Sequence, residues 1–318
     1  MATIQDKRHR KLEELSVSAS RAFVESGLHG IEAEVVVALD TSPGMTPLFA
    51  SGTVQEVAAA LLALAMRFDD DGVVPVWTFD EEATDRGEIK RNDYSGWVSK
   101  HVPPPAIVPD GEIVSGARFA PLVDAIGRRY FPKEWAAKGV PRSVGDRLKR
   151  TIFDYPGPAA PRPCPVFVIV VTCGECADPL ETTKLLRRAS FLPIFWQFAA
   201  LTPATAHDGF KFLRGVDHLP ETHCDNAGFF EPDVSAAAKQ QAAALGIDAL
   251  YQGLLNELPC KKHGSAPHRP LPDNPHARRA RFGAPWPGRG QVGRLRPSWL
   301  SFKGEAPAAG GCAQHFPQ

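Results

Sequence analysis

An apolar run that ends in an acid and a tight turn, Val35-Val36-Val37-Ala38-Leu39-Asp40-Thr41-Ser42-Pro43-Gly44, is the stretch best suited to chemistry. A buried parallel strand delivers a carboxylate in this way to the carboxyl edge of an α/β sheet, where ligands bind. The plainer role for the same residues is structural, with Asp40 capping the backbone turn that follows it. Two further groupings carry reactive side chains. Cys173-Gly174-Glu175-Cys176 is a C-x-x-C placed directly after a second apolar run, where a thiol redox pair also sits. His223-Cys224-Asp225 sets a base, a thiol and an acid side by side, but adjacent strand residues face opposite sides and make a poor dyad. Neither phosphate-loop, dinucleotide-fold nor nucleophile-elbow glycine patterns stand at a strand–helix junction. The single C-x-x-C leaves a four-cysteine zinc site unsupported.

The elements that must position these groups alternate between the two periodicities. Residues 5–25 read as an amphipathic helix closed by Gly27 and Gly30, and 34–40 as the first strand. Thr53-Val54-Gln55-Glu56 has the form of a capping box. After it, Val54, Val57, Ala58, Leu61, Leu62, Ala65 and Phe68 recur at helical spacing. Asp69-Asp70-Asp71-Gly72 turns the chain into a second strand, 73–79, and three acids at that helix end oppose its macrodipole. The spacing then predicts an edge strand at 84–90, one or two helical turns in 93–100, and a helix over 119–130. Residues 131–163, with a short helix at 146–151, read as an insertion. Strands follow at 166–172 and 191–199, joined by a helix at 179–190. A short helix at 208–215, a last strand at 222–225 and closing helices in 235–258 complete the pattern. Strands alternating with helices imply a doubly wound, mostly parallel α/β sheet with helices on both faces. The aromatics Trp77, Phe79, Phe195, Trp196 and Phe198 fall in strands and read as core, with Phe229-Phe230 core or partner anchor.

The formal charge of zero conceals a split. Residues 261–318 hold ten Lys/Arg against two acids, whereas 1–260 hold 26 basic and 34 acidic residues. Pro and Gly make up 17 of those last 58 positions, so 260–318 reads as a basic, disordered arm. Its arginines and tryptophans suit nucleic acid or an anionic surface. No apolar run reaches the length of a membrane span, and residues 1–15 are too charged for a signal peptide. Six cysteines without a disulfide framework suit a reducing compartment, so a cytoplasmic location is expected.

Several local sequences stand in a recognisable order. They are Leu39-Asp40-Thr41-Ser42-Pro43-Gly44-Met45, Gly52-Thr53-Val54-Gln55, Phe68-Asp69-Asp70-Asp71-Gly72 and Pro75-Val76-Trp77-Thr78-Phe79-Asp80. Later come Phe119-Ala120-Pro121, Pro193-Ile194-Phe195-Trp196-Gln197-Phe198, Asp225-Asn226-Ala227-Gly228-Phe229-Phe230 and Leu254-Leu255-Asn256-Glu257. The set resembles a von Willebrand factor A (vWA) domain of the tellurium-resistance, TerF-like type. The resemblance implies the vWA fold over 31–259, with a helical segment at 1–30, a short antiparallel edge strand and the insertion at 131–163.

It also implies a metal-ion-dependent adhesion site, where Mg²⁺ held by hard oxygens bridges to a partner's carboxylate. Such sites use an Asp and two Ser from the first loop, a Thr from the second and an Asp from the third. Asp40 and Ser42 match; Gly44 stands for the second Ser, Ala117 for the Thr with Arg118 beside it, and Cys173 for the last Asp, followed by Glu175. Asp40 and Ser42 alone predict a weak, degenerate Mg²⁺ site at most, with no other cofactor, because a thiol suits Mg²⁺ poorly. Arg118 is expected to replace the ion's charge by pairing with Asp40. The function implied is a non-enzymatic protein-interaction module of tellurium resistance or stress response, docking a protein partner at Asp40, Ser42, Gly44, Ala117, Arg118, Cys173 and Glu175. A thiol redox protein using Cys173 and Cys176, and a nucleic-acid adaptor acting through 261–318, are the alternatives. Oligomeric state has no signature in the chain.

Overall fold

A seven-residue buried run rich in β-branched side chains suits a strand covered on both sides. Val166–Thr172 is such a strand, every residue of it buried, and it sits near the middle of a six-stranded sheet. The computed structural model describes residues 4–28, 30–69, 71–107, 116–136, 164–174, 176–201, 210–231 and 247–256. The strands are β1 (Glu34–Asp40), β2 (Val73–Phe79), β3 (Ala83–Lys90), β4 (Val166–Thr172), β5 (Ile194–Ala200) and β6 (Ala227–Phe230). Their order is β3-β2-β1-β4-β5-β6, parallel throughout except for the antiparallel β2–β3 pair. The winding therefore reverses between β1 and β4, and a crevice opens at their carboxyl ends. The register sets Leu39 opposite Val171, so Asp40 and Thr172 emerge side by side at that crevice.

Two apolar layers hold the sheet. Val35, Val37, Leu39, Phe167, Ile169 and Val171 face one layer, under α1 (Ile4–Glu25), α3 (Thr53–Ala65) and α9 (Ile247–Asn256). Val36, Ala38, Val168, Val170, Trp196 and Phe198 face the other, under α5 (Ala120–Tyr130), α6 (Pro132–Ala136) and α7 (Pro179–Ala189). Short helices α2 (Thr46–Ala50), α4 (Trp97–His101) and α8 (Lys211–Arg214) fill the connections. α3 is buried without a break from Val57 to Ala65, not on one stripe. Its outer face is covered by α1, whose Lys11 meets Glu56 at 2.9 Å, and by α9, whose Tyr251 hydroxyl donates to the Ala60 carbonyl at 2.9 Å. A helix wrapped on all sides is apolar all round. Among the described residues no single helix is long and apolar enough to cross a membrane.

Several local expectations shift. Thr53 is not an N-cap: Gly52, left-handed at φ 79°, takes that position, and Thr53 meets the Ser51 hydroxyl instead. Gln55 reaches sideways to the Tyr94 carbonyl and the Val98 amide, pinning α4 against α3. The turns expected in 93–100 begin only at Trp97, because Asp93 accepts from the Lys90 amide and closes the preceding turn. β5 starts at Ile194, since 191–193 still turn out of α7 through the Leu192 amide to the Ala189 carbonyl. The last strand is Ala227–Phe230, not 222–225: His223 and Cys224 are held by Ser190 at the end of α7, and the chain pairs with β5 only from Ala227. The helix at 146–151, most of the insertion, the first residues of 208–215 and 235–258, and the arm at 260–318 lie outside the described residues.

α9 seals its layer through one tight approach: a Cβ on Gly253 would fall 2.1–2.3 Å from the Phe230 ring. In an open helix Gly→Ala gains up to about 1 kcal/mol. Here the sign reverses, and Gly253→Ala is expected to lose about 1–3 kcal/mol by urea unfolding. A variant as stable as the parent would show that α9 does not seat on β6.

Candidate functional site

Asp40 ends β1 with its carboxylate fully buried. One oxygen, Oδ1, accepts the Ser42 amide at 2.7 Å and so closes the turn after the strand. The other, Oδ2, accepts the Thr172 hydroxyl at 2.6 Å, a bond across the mouth of the crevice from the end of β4. Thr172 Oγ1 in turn receives the Gly174 amide at 3.3 Å, so the carboxylate organises the loops after both β1 and β4. Burial pushes the Asp40 carboxyl above its ordinary range; the Ser42 and Thr172 bonds pull the other way, and the charge of Asp80 adds to the rise. Asp80, at the end of β2, is itself raised by partial burial and by Glu81.

A second carboxylate organises the rest of the edge. Asp178 precedes α7, yet its side chain serves another helix: it accepts the Phe119 amide at 2.8 Å and the Ala120 amide at 3.2 Å, where α5 begins. It also accepts the Thr182 hydroxyl at 2.9 Å and the Cys176 thiol at 3.3 Å, and meets Arg118 Nε at 3.5 Å. A carboxylate on orphan amides at a helix start is worth about 1 kcal/mol. Around it the backbones interlock. Ala117 bridges to Cys176, the Ala177 amide donates to the Ala117 carbonyl at 2.9 Å, and the Arg118 amide donates to the Asp80 carbonyl at 2.9 Å.

The residues singled out from sequence thus fall into two linked groups. Asp40, Ser42, Gly44 and Cys173 share the crevice mouth: a Cβ on Gly44 would stand 2.8 Å from Cys173 Sγ. Ala117 and Arg118 lie on the neighbouring loop, tied in through Cys176, Asp178 and Asp80. Glu175 lies outside the described residues. One expectation is corrected. Arg118 does not pair with Asp40, both of whose oxygens are taken by Ser42 and Thr172; its guanidinium goes to Asp178. Thr172 and Asp178 are the contributors that sequence reasoning passed over. The Asp178-Pro179 pair at a helix start was the available signal for the second, though it points to α7 and not to α5.

The donor set does not fit Mg²⁺. Gly44 and Ala117 bring no side-chain oxygen, Cys173 brings a soft sulfur, and both Asp40 oxygens already accept hydrogen bonds. Among the described residues, no three His, Cys, Asp or Glu side chains gather as a metal cluster. Thiol chemistry is equally ill served. Cys176 is pushed up to about 12, first by burial, with the Asp178 charge adding to the rise, so it stays a neutral thiol. Cys224 is also pushed up to about 12 by burial, and its thiol donates to the Ser190 carbonyl. Burial lowers His223, whose ring stacks on Phe191.

A family model described as vWA-TerF-like, a vWA found in the TerF C terminus, matches residues 32–262. The uncharacterized protein YcbR of Bacillus subtilis (strain 168) is 26% identical over 229 residues, spanning 72% of this chain and 77% of that protein. Two solved structures of proximal thread matrix protein 1 from the mussel byssus, one with a zinc-occupied MIDAS motif, are 14% and 12% identical to it. The matches cover 69% and 72% of this chain and 46% and 50% of those chains, with TM-scores of 0.35 and 0.36. This chain therefore spans about half the length of those solved proteins.

Three outcomes follow from this geometry. Thr172→Val leaves a buried carboxylate oxygen without its donor and is expected to cost about 1–3 kcal/mol by urea unfolding. The native state binds the Asp40 proton more tightly than the unfolded chain, so wild-type stability falls as pH rises from 3.8 through the raised native value, then levels. Asp40→Asn lacks that fall, and a wild-type minus variant difference that is flat with pH would overturn the assignment. For the thiols, iodoacetamide at neutral pH is expected to spare Cys176 and Cys224 in the native protein; rapid alkylation of Cys176 would instead revive a redox role.

Proposed function

The chain belongs to the vWA-TerF-like family, and from that premise we propose that it is a non-enzymatic protein-interaction module. Its partner docks on the carboxyl edge of the sheet, with Mg²⁺ binding weak or lost. The observation that carries this reading is the way two carboxylates, one buried and one nearly so, fasten the edge loops to one another. Asp40 joins the loops after β1 and β4, and Asp178 joins the loop before α5 to the start of α7. Loops held in this way present a preformed surface, which lowers the ordering cost of association.

The side chains on that surface suit recognition. Leu180, at the start of α7 two positions after Asp178, is 78% exposed. Arg118 is 44% exposed while its Nε rests against Asp178. Arg118 and Leu180 thus offer a partner an exposed cation and an exposed apolar side chain on loops that Asp178 ties together. The absence of activated thiols among Cys176 and Cys224 favours binding over catalysis. The family likeness extends the reading to a bacterial tellurium-resistance or stress-response assembly, and six cysteines without a disulfide-framework spacing accord with a cytoplasmic setting.

The test uses the full chain, immobilised, and a partner first identified by capture and then purified. Arg118→Glu and Leu180→Asp are each expected to weaken that partner's affinity tenfold or more, about 1.4 kcal/mol. Val24→Asp, on the exposed side of α1, is the control and leaves affinity unchanged. Equal affinity for all three variants would refute docking at the carboxyl edge.

A further inference from the structure

Three positions at the carboxyl edge, Gly44, Ala117 and Cys173, combine into a device that none of them suggests alone. Gly44 lies in the single helical turn Pro43–Met45 and is not among the glycines with positive φ. Its backbone would accept any residue; what a side chain would crowd is the Cys173 sulfur, 2.8 Å from where a Cβ would be, which would have to shift. The glycine and the cysteine are therefore a matched pair, one vacating the volume that the other fills. Ala117 is fully buried and packs in the apolar layer with Phe119, Val170 and Cys176, where a hydroxyl would lack water. Two hard donors remain, Ser42 and Asp40, and both Asp40 oxygens already accept hydrogen bonds from Ser42 and Thr172.

We infer that the carboxyl edge is locked shut by the Thr172–Asp40 hydrogen bond and the Cys173 sulfur seated on Gly44, in the place where a divalent cation would otherwise tie the same loops. A cation-bridged edge changes shape as the ion comes and goes, since Mg²⁺ demands a near-octahedral set of oxygens. A hydrogen bond and a packed sulfur have no such dependence. The lock keeps one shape whatever the Mg²⁺ concentration, and recognition falls to side chains on the rim and not to an ion. This deepens the docking reading of the same edge, and only its bearing on recognition rests on that reading.

The lock is tested without any partner. Wild-type protein is titrated calorimetrically with MgCl₂, and its Tm is followed in MgCl₂ and in EDTA. The expected result is no binding heat and the same Tm in both. Alongside it, Gly44→Ser is expected to lower Tm by several degrees, and Cys173→Ala combined with Gly44→Ser to recover most of that loss, because removing the sulfur frees the space. Saturable Mg²⁺ heat that disappears in Asp40→Asn would overturn the inference, as would a Gly44→Ser variant as stable as wild type. Partner affinity measured in MgCl₂ and in EDTA separates the two readings: equal values support a locked edge that docks. Mg²⁺-dependent affinity refutes the lock, and a protein insensitive to Mg²⁺ that gains no partner refutes the docking alone.

Discussion

The bond from the Thr172 hydroxyl to the Asp40 carboxylate is the contact on which the carboxyl edge depends. It spans the one place where the sheet cannot close itself. β1 and β4 pair through their backbones up to Leu39 and Val171, and beyond that row their connections wind away to opposite faces. Without a tie the crevice would be a water-filled cleft with two frayed loops. A carboxylate placed there with no donors would be costly to bury. With the Ser42 amide and the Thr172 hydroxyl on it, the same group becomes the most directional connector available, since hydrogen bonds to a charged acceptor are about twice as strong as neutral ones. Its raised proton affinity shows that burial still outweighs those bonds.

Asp178 repeats the device one loop further out, with a different balance. Its side chain is nearly buried, and it collects backbone amides, a hydroxyl, a thiol and a guanidinium. Because the amides belong to α5 and the carboxylate precedes α7, one side chain sets the angle between two helices on the same face. The pull on Arg118 follows from this arrangement. A guanidinium on the loop that Asp178 already holds meets that carboxylate at no further conformational cost, whereas reaching Asp40 would mean displacing Thr172 from a buried bond. The edge is thus partitioned: a buried acid with hydroxyl and amide inside, and a nearly buried acid with a half-exposed arginine toward the rim.

How much of this the chain discloses before folding depends on sequence distance. β1, β2 and β4 are legible to the residue, because strands buried on both faces are continuous apolar runs with polar ends. The oxygen-poor character of positions 44, 117 and 173 is legible too, since it is a matter of residue type. The partners are not. Thr172 and Asp40 lie 132 residues apart and Asp178 and Phe119 lie 59 apart, so no local pattern connects them. Where local signals compete, packing decides: the capping box at Thr53 yields to Gly52, and the polar run 222–225 yields to Ala227–Phe230, whose small and aromatic residues can pair with β5.

The outer strands bear on the docking reading from another side. A sheet can recruit a partner by adding a strand to an open edge, and both edges here carry polar groups that oppose this. On β6 the Phe229 amide is held by Asp217 at 2.9 Å. On β3 the Glu88 carbonyl is held by the Trp97 ring nitrogen at 3.0 Å, the Gly87 amide by Asp85 and the Lys90 amide by Asp93. Those backbone groups are satisfied inside the fold, which is how natural sheets avoid pairing edge to edge. Strand addition at either described edge is disfavoured and helices cover the two faces, which is why the docking reading proposed above turns to the loops at the carboxyl edge. On that reading, specificity falls to rim side chains such as Arg118 and Leu180, on a frame that hydrogen bonds already fix.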